Sequence, residues 1–194
     1  IVFSLLSENF LRADNLINVV RHSVYLMIVA LGQMLALLTG GFDLSVGTIL
    51  ALTSVVGAMV MAGVFEAHPE AIWAAIFLGC LAGILAGTLV GVINGIGVAV
   101  FNVSPFIMTL GMASVGFGIA LYLTSGMPVY GMPPAFGEVF GFGRAFGIPI
   151  PIIVVAVIAL LTFVLVSRTP IGRYFYAVGG NIRAANLSGI NTKQ

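Results

Sequence analysis

From Ala71 to Gly137 the chain contains no Asp, Glu, Lys or Arg. Charged residues make up only 7% of the 194 residues, against about a quarter in soluble domains. Hydrophobic residues make up 60% and mean hydropathy is +1.20. No soluble fold of this length needs so much apolar surface, so the sequence reads as an integral membrane protein. The expected class is all-α, a polytopic transmembrane helical bundle forming a single domain.

Five spans are expected, at about 23–39, 44–65, 71–92, 106–124 and 148–167. A helix needs about 20 apolar residues to cross the hydrocarbon core, which the first span meets only marginally. Gly40-Gly41 stops that span, and Asp43 and Ser45 are placed to cap the next helix. Glu66–Glu70 is a short acidic loop. Asn102–Pro105 is a turn, and Ser125–Gly147 reads as a long Gly/Pro-rich loop, flexible over Gly141–Gly147. Ser7–His22 is polar. Ile1–Leu6 is apolar but too short to span and reads as the tail of an earlier helix. With no initiating Met and no signal-peptide pattern, the chain is expected to be a portion of a longer protein.

Orientation follows from 168–194, which carries Arg168, Arg173, Arg183 and Lys193 with no acidic residue. Uncompensated basic residues beside a span mark the cytoplasmic side. The segments at Ser7–His22, Glu66–Glu70 and Ser125–Gly147 then face outward, with Arg12 and Arg21 against the trend. The turns at Gly40–Asp43 and Phe101–Pro105 face inward. Within the basic segment, Thr169-Pro170 starts a helix and Gly179-Gly180 breaks it. Asn181 caps a second helix through Ile182–Leu187, closed near Gly189. Such a pair can be a docking platform for a cytoplasmic partner or an ordinary inside loop.

Gly79, Gly83, Gly87, Gly91 and Gly95 recur every fourth residue along the third span. A stripe without side chains lets a neighbouring backbone approach closely, and helix packing is the expected role, with a hinge as the alternative. Asp43, after a Gly-Gly break, reads as a helix cap, with gating or contact with a cytoplasmic partner as the alternative.

Candidate chemistry is sparse. Spans three to five offer no ionisable group of the kind ion-coupled carriers use. Lys193 is the sole lysine and no phosphate loop is present; HExxH and GxSxG are also absent. Cys80 stands alone, and His22 and His68 have no partner at metal-ligand spacing. No catalytic, metal or cofactor site is expected, and the few basic residues at span ends do not suit nucleic acid. The neutral polar residues Gln33, Asn94, Asn102, Ser104, Thr109, Ser114, Tyr122 and Thr124, with Phe101, Phe106 and Phe117 nearby, suit an uncharged polyhydroxy solute. Of these, Asn94, Asn102, Phe106 and Thr109 are the candidate pathway. Interhelical hydrogen bonding is the competing role.

The motif GGFDLSVGTILALTS (Gly40–Ser54) resembles a signature of the permease subunits of bacterial ribose/xylose/galactose-type ABC importers. Asn94-Gly95, NVSPFIMTLGM (Asn102–Met112) and TPIGRYFYAVGGNIRAANLSGIN (Thr169–Asn191) resemble the same family in the same order. The resemblance implies an inner-membrane subunit importing a neutral monosaccharide. It would pair with a second permease copy, a cytoplasmic ATPase carrying ATP and Mg, and a periplasmic sugar-binding protein. It also implies further spans and an ATPase-coupling helix in the last motif. The coupling residues would be Gly172, Arg173, Gly179, Gly180, Asn181, Ala184, Ala185, Leu187 and Gly189. Ala184, Ala185 and Leu187 would enter a groove, with Arg183 facing an acidic rim. An ATPase-independent facilitator or channel for a small neutral solute is the alternative, as is an ABC permease for a nucleoside or branched-chain amino acid.

Overall fold

The computed structural model describes residues 10–192. The expected helix tail at Ile1–Leu6, the first polar residues from Ser7, and Lys193 lie outside the described residues. Among the described residues five helices are long and apolar enough to cross a membrane: α1 (Ala13–Leu38), α2 (Val46–Ala67), α3 (Ile72–Ala99), α4 (Pro105–Thr124) and α5 (Ile150–Arg168). Two short helices follow, α6 (Pro170–Gly180) and α7 (Ile182–Leu187). The chain is an all-α, multi-pass membrane protein.

Helix α1 starts ten residues before the expected span, at Ala13 rather than 23. Its polar first turns continue the hydrogen-bonded spiral beyond the apolar stretch. Asp14 in the first turn is favoured by the helix dipole, and Asn15 Nδ2 donates to the Phe10 carbonyl at 2.9 Å. Arg21, which ran against the charge trend, has its guanidinium 5.2 Å from the Phe142 ring centroid. A cation–π contact thus pairs this charge with an aromatic ring of the long loop. Helix α3 runs on beyond 92, to Ala99.

Helix α2 packs against α3 and α4, while α5 packs against α1. One apolar cluster, Leu52, Val90 and Ala120, ties α2, α3 and α4 together. A second, Met61, Ala75 and Ile76, receives Phe136 from the long loop. Regular structure occupies part of that loop. It contains a helical turn at Pro134–Phe136, a π-helical turn at Gly137–Gly141 and a two-residue hairpin. Strands β1 (Arg144–Ala145) and β2 (Ile148–Pro149) pair antiparallel, Ala145 opposite Ile148. Phe146 and Gly147 between them both have positive φ, 54° and 80°. This is the backbone that a tight two-residue hairpin turn requires.

Side chains on the spans are mostly exposed, Phe77 at 66% and Ile84 at 66% among them. In water this would be untenable; in a bilayer these residues face lipid or another chain.

Candidate functional site: a polar knot beside a helical hairpin

The turn between α1 and α2 gathers the polar residues of three spans. Asp43 Oδ1 accepts two hydrogen bonds from Ser45, from its N–H at 2.8 Å and from its hydroxyl at 2.6 Å. Asn94 Nδ2, on α3, donates to Ser45 Oγ at 2.9 Å. Thr109, on α4, accepts the Leu44 N–H at 3.1 Å, and its own hydroxyl lies within reach of the carbonyls of Pro105 (2.8 Å) and Phe42 (3.2 Å). Gln33, on α1, can satisfy both backbone groups of Asp43 with its amide oriented by this network. Its Nε2 then donates to the Asp43 carbonyl at 3.0 Å, and its Oε1 accepts the Asp43 N–H at 3.3 Å.

The geometry corrects the expected helix caps. Ser45 occupies the N-cap position of α2, but its side chain makes no capping bond. Its hydroxyl hydrogen is directed to Asp43 instead, and its oxygen receives Asn94. Asp43 therefore forms a local turn with Ser45 and does not cap the helix directly. Ser45, Asn94 and Thr109 are all buried. In hydrocarbon, unpaired polar groups are costly, so such bonds fasten helices to one another. Among the described residues one atom of the knot remains unmatched: Asn94 Oδ1 is buried without a hydrogen-bond partner.

The candidate pathway residues divide. Asn94 and Thr109 meet in the knot, whereas Asn102 and Phe106 are exposed at the turn entering α4. Asn102 has φ 54°, a left-handed conformation that Asn tolerates better than most residues. The sequence suggested no role for Thr48. It donates to the Ala113 carbonyl at 3.0 Å, and its Cγ2 lies where a Cβ on Gly116 would come within 2.7 Å. Its place inside the Gly40–Ser54 motif was the available signal.

The glycine stripe also divides. A Cβ on Gly79 would fall 2.7 Å from the Gly57 carbonyl oxygen, and one on Gly83 would fall 3.0 Å from the Thr53 carbonyl oxygen. At Gly87 the neighbour is the Thr53 Cγ2, at 3.0 Å. A Cβ on Gly91 or Gly95 would meet nothing within 4 Å. The α2–α3 crossing thus uses three of the five glycines, together with Gly57 on the facing helix. An open groove of ≈ 640 Å³ runs along this crossing, lined by Thr53, Met61, Cys80, Thr88 and Phe136 among others. The hydroxyls of Thr53 and Thr88 donate to carbonyls of their own helices, Leu50 and Ile84. The groove suits apolar chains rather than a polyhydroxy solute.

At the knot's end of the bundle lies the α6–α7 hairpin. Thr169 caps α6 by accepting the Gly172 N–H at 3.4 Å and donating to the Leu165 carbonyl at 2.6 Å. A Cβ on Gly172 would collide with the Val166 carbonyl, and one on Gly179 with the Leu38 carbonyl. The two ends of α6 therefore rest on the ends of α5 and α1, so the helix lies across the bundle. A Cβ on Gly180, by contrast, would meet nothing within 4 Å. Asn181 Oδ1 then accepts the N–H groups of Arg183 and Ala184, both at 3.0 Å, and starts α7. Gly189, at φ 83°, closes it. Around α7, Ile182, Arg183, Ala184 and Leu187 are exposed, Leu187 at 91%. Ala185 is not: only 4% of it is exposed. The expected groove-entering role of Ala185 is corrected on this point, because a six-residue helix resting on its neighbour must turn one face inward and Ala185 is on that face.

Residues 15–194 match the family described as branched-chain amino acid transport system / permease component. The chain belongs to this family. Among curated relatives it is similar to the ribose import permease protein RbsC of Bacillus subtilis (strain 168), at 41% identity over 98% of this chain and 56% of the relative. The ribose import permease protein RbsC of Escherichia coli (strain K12) is 35% identical over 100% of this chain and 58% of its own length. The D-allose transport system permease protein AlsC of the same strain is 37% identical over 98% and 56%. The chain thus spans a little over half the length of these permeases. No solved structure matches it. Family membership and five apolar helices together make this a multi-pass inner-membrane permease component.

Proposed function

We propose that the chain is part of the membrane-spanning permease subunit of an ABC importer for a neutral monosaccharide. The observation that carries this reading is the near-full-length similarity of this chain to ribose and D-allose permeases at 35–41% identity. It favours a sugar over a branched-chain amino acid, although the family description names the latter. A periplasmic sugar-binding protein delivers the solute, and a second permease subunit completes the pore. ATP and Mg²⁺ are bound by a separate cytoplasmic ATPase, and this chain binds neither.

The α6–α7 hairpin supplies the ATPase contact. Its exposed Ile182, Ala184 and Leu187 offer an apolar and small surface, and Arg183 adds a charge for an acidic rim. The hairpin caps the same bundle end as the Gly40–Ser45 turn, and Arg168 ends the last turn of α5 beside it. That end is cytoplasmic by its charge. Affinity purification of the full-length permease is the test: an ABC ATPase should co-purify in stoichiometric amount. Isolation without any ATPase, combined with sugar uptake unaffected by ATP depletion, would favour a facilitator.

Orientation has its own check. Glu138 and Asn186 are both exposed, at opposite ends of the bundle. Single cysteines introduced there, in a background lacking Cys80, are expected to differ towards an impermeant thiol reagent in cells with a permeabilised outer membrane. Position 138 should label and position 186 should not; the reverse pattern inverts the topology.

A further inference from the structure

The Gly40–Ser45 turn touches two things that are otherwise separate. On one side lies the α6–α7 hairpin. Gly179 packs against the Leu38 carbonyl closely enough that no Cβ fits, and a Cβ on Gly40 would stand 3.7 Å from the Gly179 Cα. This is backbone against backbone, with no flexible side chain between to absorb a displacement. On the other side lies the knot. Within six residues of Gly40, the turn is hydrogen-bonded to α3 through Ser45 and Asn94 and to α4 through Leu44 and Thr109. The bonds of Gln33 to Asp43 hold it to α1 as well. Asn94 Oδ1, buried and unmatched among the described residues, leaves the knot with one acceptor unused in this arrangement. A buried acceptor without a donor is costly, so an arrangement that supplies one is favoured at that atom.

We propose that the Gly40–Ser45 turn is the mechanical link between the α6–α7 hairpin and the span bundle, so that displacement of the hairpin is felt at the Ser45–Asn94 and Leu44–Thr109 hydrogen bonds. The link itself rests on contacts within this chain. Its use in transport rests on the reading of the hairpin as the ATPase contact. When the hairpin shifts, Gly179 carries Leu38 and Gly40 with it. The turn then pulls on α3 and α4 through two buried hydrogen bonds. Coupling of this kind is reciprocal: loosening the knot must also loosen the hairpin.

Amide hydrogen exchange on the full-length protein in detergent tests the link without any ATPase, so its failure is separable from failure of the transport reading. In Gly179→Ala, exchange in a peptide covering 42–46 is expected to rise about tenfold, in the range typical of coupled sites. Gly180→Ala, one residue away in open space, should leave that peptide unchanged. The reciprocal variant Ser45→Ala should raise exchange in α7, and it decides the matter if Gly179→Ala fails to fold. Equal exchange at 42–46 in the two glycine variants would overturn the proposal. A rise in Gly179→Ala spread equally over Met61 and Ala75, at the far end of the bundle, would overturn it too. So would an unchanged α7 in Ser45→Ala.

Discussion

Ala184→Trp and Ala185→Trp, neighbouring substitutions of the same size, are expected to fail in different ways. Ala185 is 4% exposed and faces the protein. A Trp there must push α7 off its support, an overpacking cost of about 1–3 kcal/mol. The expected result is lower thermal stability and reduced membrane abundance. Ala184 is exposed, on the same face as Leu187 at 91%. Ala184→Trp, or Leu187→Asp, should leave melting unchanged but weaken docking of an ATPase. A residue at the centre of such an interface contributes about 2 kcal/mol, a roughly thirtyfold loss of affinity. Sugar-stimulated ATP hydrolysis and uptake should fall together. Melting, abundance, ATPase co-purification and uptake, measured side by side, separate the two. Normal uptake in Leu187→Asp would remove α7 from the partner contact. Unchanged melting in Ala185→Trp would contradict its inward placement.

The second large effect is at the α2–α3 crossing. Gly83→Leu places a side chain against the Thr53 carbonyl, which belongs to a helix backbone and cannot rotate away. The two helices must separate, losing the close packing that holds them in lipid. We expect a cost of about 3 kcal/mol or more, seen as a marked fall in melting temperature in detergent. Gly87→Leu meets only the Thr53 methyl and should cost less. Gly91→Leu and Gly95→Leu should be close to neutral, because nothing lies near them. Equal effects at all four positions would mean that the stripe acts through helix propensity rather than through contact.

The same stripe shows what a sequence can disclose and what it cannot. A fourfold glycine spacing identifies a face, but four residues overshoot one helical turn by about 40°. Three repeats after Gly79 the face has rotated by about 120°, so Gly91 and Gly95 have left the seam. On the facing helix Gly47, Gly57 and Gly63 follow no fourfold spacing, so Gly57 gave no periodic signal. The apolar runs displayed the spans because burial in lipid depends on composition. They displayed helix starts poorly, since the polar opening of α1 stays helical outside the apolar layer.

Capping followed the same division. Asn181 accepts from N–H donors only two and three residues along, at Arg183 and Ala184, so local spacing was sufficient. Ser45 had an equally good local signal, yet its hydroxyl turned to Asp43 and received Asn94, 49 residues distant. No local pattern announces a bond of that range. Ala185 was misjudged for a related reason. In a helix as short as α7, which face turns inward is set by how α6 lies across α5 and α1, and those close approaches at Gly172 and Gly179 are tertiary.

The most direct measurement of the account is sugar uptake by the full-length permease, reconstituted in proteoliposomes with its ATPase and a ribose-type binding protein. Uptake of labelled ribose or another neutral monosaccharide is predicted only when ATP and Mg²⁺ are supplied on the ATPase side, and it should be abolished by Leu187→Asp. Uptake at the same rate without ATP, and insensitive to that substitution, would contradict it.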